Sequence, residues 1–405
     1  MAKYLTQFGH EVRVISAREQ DISLVSLPLE IPSEHVTYTR WLNPLWLISK
    51  VYGRGQVVPW SDQLTTQSSS RMWKIRRETL RAIRSLLYFP DKQIGWLPFA
   101  LSEVSHQFKN WTPDVIYASA SPVTSLIVAH MLARRHAIPW VGELRDLWVD
   151  NQYYQYPGWR KRVEEKLERR VLSSAIGLVT VSQPLADTLQ TKFGKPTAVI
   201  LNGFDPADNA DQSETAFKHD GLRIVYTGKI YAGRQTPAPL FEALRRLDNY
   251  AEKVRVAFYG ASRDLVRKIA NDYGVEKQVE INDSVPHHQA LKAQREADVL
   301  LHLLWNDPKQ PGVYNAKVFE YLGARRPILA VGYTGNVTAQ LVGKREAGLA
   351  TDDPILIADQ LEKWIKQKEQ LGSIRSLTSS VTIGLSREEQ ARELERFLVQ
   401  LLTKP

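Results

Sequence analysis

A chain of 405 residues, 43 % of them hydrophobic and none of them cysteine, can bury two cores of roughly 200 residues each and is not a disordered polymer. The lack of cysteine excludes disulfides, thiolate metal sites and thiol nucleophiles, and fits a reducing compartment. The net charge of +9 is uneven: residues 1–200 hold 25 Lys and Arg against 17 Asp and Glu, the remainder 28 against 27, so the basic excess belongs to the first half. Such a half suits an anionic membrane, nucleic acid or an ordinary solvated surface.

No apolar run approaches the ~18–20 residues of a membrane span, and the N-terminus lacks the basic-then-apolar pattern of a signal peptide. The expectation is a cytoplasmic protein, soluble or peripheral on the inner face of the plasma membrane. Met1–Phe8 reads as a helix stopped by Gly9, and Glu11–Ser16 as the strand after it. A doubly wound sheet opens on a strand, so the first strand is expected to be missing from this chain.

Residues 71–88 place Arg71, Lys74, Arg77, Arg81 and Arg84 at helical spacing among Met72, Ile75, Leu80, Ile83 and Leu87. A basic amphipathic helix of this kind suits an anionic membrane surface, with Trp41, Trp46, Trp60, Trp73 and Trp96 as interfacial aromatics. A sheet-covering helix with a solvated basic face explains the same pattern. Short Val- and Ile-rich runs then alternate with segments of helical period: strands are expected at 115–119, 140–144, 177–181, 198–201, 223–226, 254–260, 279–281, 299–304 and 327–331. This alternation predicts an α/β protein with parallel sheets covered on both faces.

His130 and His136 fall on or beside a helix over 124–136 and read as ordinary helix residues. The run 137–150 is a strand leading into Glu143, Arg145, Asp146 and Asp150. Polar groups at a strand's C-terminal end are where open α/β sheets bind ligands, although an Arg145–Asp146 surface pair is the simpler account. The polar, turn-rich stretch 202–213 is the best linker. It divides the chain into 1–203, 204–385 and a last amphipathic helix within 386–405.

The second half carries the sharper motifs. Gly228 ends a strand and permits positive φ and close approach of backbone N–H groups to an anion. Lys229 and Arg234 follow one and six residues later, where both cations can reach one diphosphate. After a turn at 311–315, a helix over 316–324 would point N–H groups near Tyr314, Asn315 and Lys317 at phosphate. Glu320, one turn in, can accept hydrogen bonds from ribose or sugar hydroxyls. An ordinary loop and a first-turn helix acid explain each motif taken alone.

Taken jointly, these residues resemble the family 4 retaining glycosyltransferases of the GT-B type, over nearly the whole chain. The match lies in the strand-ending Gly228 with Lys229 and Arg234, in Glu320 followed by Gly323-Ala-Arg-Arg-Pro327, and in Asn202-Gly-Phe-Asp205. The Arg145-Asp-Leu-Trp148 run resembles a branch associated with bacterial surface polysaccharide and glycoconjugate synthesis. The resemblance implies a GT-B architecture of two Rossmann-like domains facing a cleft, with the last helix crossing back onto the first domain. It also implies transfer of a sugar from a nucleoside-diphosphate donor with retention and without metal or cofactor, to a glycan or lipid-linked acceptor. Lys229, Arg234 and Glu320 would then be catalytic, Gly228, Gly260, Val285, Tyr314, Asn315 and Lys317 donor-binding, and Glu143, Arg145 and Asp146 acceptor-side.

One position departs from the pattern. Many members carry an acid eight residues before the helix glutamate, and this chain has Gly312 there, so the transferred sugar is not legible. Two other readings stand beside transfer: a sugar-nucleotide epimerase of the same architecture, and a non-catalytic partner that binds nucleotide-sugar or membrane. The basic excess comes without a nucleic-acid-binding motif, so no nucleic acid partner is expected.

Overall fold

The computed structural model describes residues 1–18, 29–43, 85–151, 154, 156–209 and 221–403. In chain order the strands are β1 (Val14–Ala17), β2 (Val36–Thr39), β3 (Ile116–Ala120), β4 (Trp140–Leu144), β5 (Gly177–Thr180), β6 (Thr197–Val199), β7 (Leu222–Thr227), β8 (Val254–Tyr259), β9 (Val279–Asn282), β10 (Val299–Leu303), β11 (Ile328–Val331) and β12 (Gly348–Thr351). The helices are α1 (Ala2–Gln7), α2 (Leu97–Gln107), α3 (Thr124–His136), α4 (Gly158–Leu172), α5 (Gln183–Phe193), α6 (Ala238–Arg246), α7 (Arg263–Tyr273), α8 (His287–Arg295), α9 (Lys317–Gly323), α10 (Val337–Lys344), α11 (Pro354–Leu371) and α12 (Arg387–Thr403). The nine strand expectations each meet a strand, with ends shifted by one or two residues. The pattern missed β2 (Val-Thr-Tyr-Thr) and β12 (Gly-Leu-Ala-Thr), edge strands that lack the Val- and Ile-rich run marking the others.

The second domain is one six-stranded sheet in the order β12-β11-β10-β7-β8-β9, parallel throughout. Its strands are apolar on both faces because helices cover both. Ile224, Val256, Leu301 and Leu329 point into one core with α6, α7 and α11. Their neighbours Val225, Ala257, Leu300 and Ile328 point into the other with α9 and α10. The chain leaves β9 at one edge and re-enters at β10 beside β7, so the loops after β7 and β10 diverge and open a crevice at their C-terminal ends.

The first domain is in two pieces among the described residues: a four-stranded parallel sheet β3-β4-β5-β6 and a separate parallel pair β1-β2. Helices α2 and α3 bridge them, since Ile15 and Ala17 of β1 and Ile116 of β3 pack on one cluster of Trp96, Ala100, Val104, Val128 and Leu132. Trp96 is therefore a core residue, its indole N–H donating to Thr39 Oγ1 at 2.6 Å, and not an interfacial aromatic. Trp46, Trp60, Trp73 and the basic residues 71–84 lie outside the described residues. His130 is buried in α3 with Nδ1 2.6 Å from Ser174 Oγ.

The two sheets are joined at a narrow waist. Phe204 N–H donates to Leu385 O at 3.1 Å and Arg387 N–H to Phe204 O at 2.8 Å, so the outgoing and returning chains pair side by side. Gly203 sits there at φ +68°, and a Cβ would press on Arg387 N at 2.9 Å, which is why this position needs glycine. Beyond the waist, α12 lays Leu394, Phe397, Leu398 and Leu401 against Val141, Val179 and Ile200 of the first domain.

Candidate functional site

A cavity of about 600 Å³ opens where β7 and β10 diverge, within the usual range for small-molecule sites. Its lining includes Gly228, Lys229, Gly260, Val285, Tyr314, Asn315, Lys317 and Glu320. The topology brings these positions together although they are up to ninety residues apart in sequence. From the first domain, Asp146 alone among the described residues lines it.

Gly228 ends β7 at φ +114° with its N–H on Tyr259 O at 2.7 Å. The backbone favours glycine at this φ, and a Cβ here would displace the end of Lys317, which lies across the turn. Burial pushes Lys317 below the usual lysine range, partly offset by the Glu320 charge. Beneath it His302 is buried and neutral, its pKa lowered to about 3 by desolvation and by Lys317. Among the described residues neither Lys229 nor Lys317 is tied up in an ion pair.

Arg234 lies elsewhere. The loop after Gly228 folds back, with Gln235 Nε2 donating to Leu303 O at 2.7 Å and Asn306 N–H to Arg234 O at 2.9 Å. This places the guanidinium against Asp307 at 2.6 Å, over the Trp305 ring, at the rim and outside the cavity lining. Helix α9 is seven residues long, and the Lys317 N–H already donates to Asn315 Oδ1 at 3.2 Å. The cationic character of the site therefore rests on lysine side chains rather than on that helix terminus.

Glu320 is held by a partner that sequence reasoning did not single out. Gln294 of α8 donates through Nε2 to Glu320 Oε2 and to Thr227 Oγ1, both at 3.1 Å. Thr227 is in turn tied to the Tyr321 hydroxyl, which accepts its N–H at 3.1 Å. The signal was a polar residue three after Leu291 on the inward face of an amphipathic helix.

On the first domain the three polar residues at the C-terminal end of β4 part company. Glu143 is buried and accepts from Arg145 Nε at 3.2 Å, while Arg145 Nη1 reaches Asn202 Oδ1 at 2.8 Å near the waist. Asp146 turns to the cavity, and desolvation raises its carboxyl above the ordinary range. Gly312 packs against this domain as well: its carbonyl accepts from Ser182 Oγ at 2.7 Å. A Cβ there would sit 3.1 Å from Ser182 Oγ and 3.2 Å from Leu185, so a side chain at 312 would press on this face of the first domain.

The Glycosyltransferase Family 4 model matches residues 61–208. D-inositol 3-phosphate glycosyltransferase 1 of Catenulispora acidiphila is 23 % identical over 312 residues, 71 % of this chain and 73 % of that one. A glycosyltransferase from Rickettsia africae superposes with a TM-score of 0.61 at 12 % identity, covering 100 % of this chain and 93 % of that one. Sucrose-phosphate synthase from Thermosynechococcus elongatus gives 0.59 at 15 % identity over 99 % and 91 %. The pneumococcal O-GlcNAc transferase GtfA, solved with UDP and GlcNAc, gives 0.51 at 11 % over 76 % and 61 %. The chain thus has the α/β, two-domain GT-B fold seen in glycosyltransferases and carries a Glycosyltransferase Family 4 match across its first domain.

Proposed function

We propose that the protein moves a sugar from a nucleoside-diphosphate donor to an acceptor hydroxyl with retention of anomeric configuration and without a metal, in the synthesis of a surface polysaccharide or glycoconjugate. The observation that carries this reading is one cavity lined at a glycine turn by two lysines that form no ion pair among the described residues, with Glu320 beside them and Asp146 from the facing domain. The lysines suit a diphosphate, Glu320 suits sugar or ribose hydroxyls, and Asp146 suits the acceptor hydroxyl.

In the reaction the bond from the anomeric carbon to the β-phosphate oxygen breaks. A bond to the acceptor oxygen forms on the same face, and the acceptor proton passes to the departing phosphate. Negative charge grows on the diphosphate, and Lys229 and Lys317 stabilise it from fixed positions. Arg234 joins by leaving Asp307, a half-exposed pair worth at most about 1 kcal/mol, which a second diphosphate contact offsets. UDP stands first among candidate donors because GtfA, of the same fold, was solved with it. The acceptor is a glycan or lipid-linked molecule, met at an anionic membrane through the basic segment of the first half.

Thermal stability measured with UDP, GDP, ADP and dTDP and their sugar conjugates tests the reading. A selective rise with one nucleotide supports it and names the base; no rise with any of them overturns it. Transfer is then read as release of nucleoside diphosphate that depends on added acceptor.

A further inference from the structure

We propose that Gln294 is the positioning residue that aims the Glu320 carboxylate, an inference resting on the nucleoside-diphosphate reading above. Both of its amide protons are committed, one to Glu320 Oε2 and one to Thr227 Oγ1. A carboxylate only accepts, so the amide nitrogen must face Glu320, and this fixes the orientation of the group. The consequence is costly: Gln294 is 1 % exposed and, among the described residues, no donor reaches its Oε1. A buried acceptor left without a donor opposes folding. A methionine of the same length would fill this place beside Leu291 without that penalty, so packing does not explain the choice of glutamine. Orientation of Glu320 does.

The relay has a second end. Thr227 immediately precedes Gly228, and Tyr321, which follows Glu320, holds the Thr227 N–H through its hydroxyl. Hydrogen bonds thus run from Tyr321 to Thr227, from Thr227 to Gln294 and from Gln294 to Glu320, and the peptide bond between Glu320 and Tyr321 closes the circuit, which locks the carboxylate relative to the glycine turn. A nucleoside diphosphate has a fixed span between its ribose hydroxyls and its phosphates. Gln294 sets the matching span in the protein, and so sets the preference for a ribose-bearing ligand.

The test is calorimetric titration of the full chain with UDP, GDP and ADP and their 2′-deoxy and 3′-deoxy forms. The wild-type chain should prefer the ribonucleotide over at least one deoxy form by about ten-fold, as expected for a hydrogen bond to a charged group. Gln294→Met should abolish that preference while leaving affinity for the deoxy form within about two-fold, and should add nothing in a Glu320→Ala background. A variant that weakens both forms equally, or keeps the preference, overturns the proposal. Gln294→Glu, an isostere, gives an independent reading. Its carboxyl meets Glu320 as a like charge and has no N–H to donate, so this variant too should lose the ribose preference. A preference that survives in this variant overturns the proposal. If the wild-type chain binds no nucleoside diphosphate, the functional reading fails; if it binds without preferring ribose, only the role of Gln294 fails.

Discussion

The two halves of this molecule hold their sheets together by different means. In the second domain six strands form one continuous open sheet, and two apolar layers lock them from either face; polar side chains are left free to line the crevice. The first domain has its sheet in two pieces among the described residues, and a buried ionic hub takes up part of the task. Arg160 is fully buried in α4 and spends its guanidinium on Glu164 (2.5 Å), Ser85 O and Oγ (2.6 and 3.0 Å), Tyr88 O (2.8 Å) and Pro90 O (2.7 Å). An apolar sheet positions a site by being incompressible, whereas a hub positions a segment by satisfying its carbonyls. The donor side should therefore respond to substitutions of charge and shape at the cavity, and the first domain to loss of a single buried charge.

The comparison is broken most forcefully at Arg160. Arg160→Met strands Glu164 and the carbonyls of Ser85, Tyr88 and Pro90, and should cost about 3–5 kcal/mol. The measurement is chemical denaturation followed separately in each domain, with nucleotide affinity of the surviving second domain little changed. Equal loss in both domains would show that the halves are not distinct in this way. Next in size, Lys229→Ala should lower turnover by about 10²–10³-fold through lost stabilisation of the leaving diphosphate, with the melting temperature unchanged. A small effect in steady-state kinetics would make Lys229 an ordinary loop residue.

Asp146→Asn sharpens the comparison between the two faces of the cleft. It should reduce kcat/KM for acceptor by about ten-fold, since one charge-assisted hydrogen bond is lost, and leave the dissociation constant for nucleotide untouched. The pH dependence has a defined sign. Burial raises the folded-state pKa of Asp146, so a step needing its carboxylate weakens as pH falls through a value above the usual ~3.9 for aspartate, and the asparagine variant lacks that limb. Smallest of all, Ser182→Ala removes the hydroxyl that donates to Gly312 O and should cost about 0.5–1.5 kcal/mol. Its readout is the angle between domains in solution scattering as well as stability; a closed distribution identical to wild type would show that this bond does not hold the domains together.

Much of the fold was legible in the sequence. Runs such as Val254–Tyr259 and, but for the buried His302, Val299–Leu303 are apolar at the positions that must be buried, so they read as central parallel strands without further information. The edge strands Val36–Thr39 and Gly348–Thr351 did not read, because threonine and glycine break the apolar run that marks a strand buried on both faces. Trp96 looked like a surface aromatic beside a basic segment, yet its indole nitrogen found Thr39 and its ring found the core. The cluster of Gly228, Lys229, Lys317 and Glu320 was visible as motifs. The separation of Arg234 from it was not, since the partner Asp307 lies seventy-three residues further along the chain.

What the sequence by itself determined is the class and the punctuation: alternating strands and helices, a waist at Gly203, a glycine turn at 228 and the candidate charges around it. These follow from local rules, namely burial period, permitted φ and residue chemistry. Only the tertiary structure decided which of those charges face one another. Lys317 crosses the Gly228 turn, Arg234 is held at the rim, Asp146 alone among the described residues of the first domain lines the cavity, and Gln294 joins Glu320 to Thr227. The physical reason is that hydrogen bonds and ion pairs act over a few ångströms, and the partners that satisfy them are brought within reach by sheet order rather than by spacing along the chain.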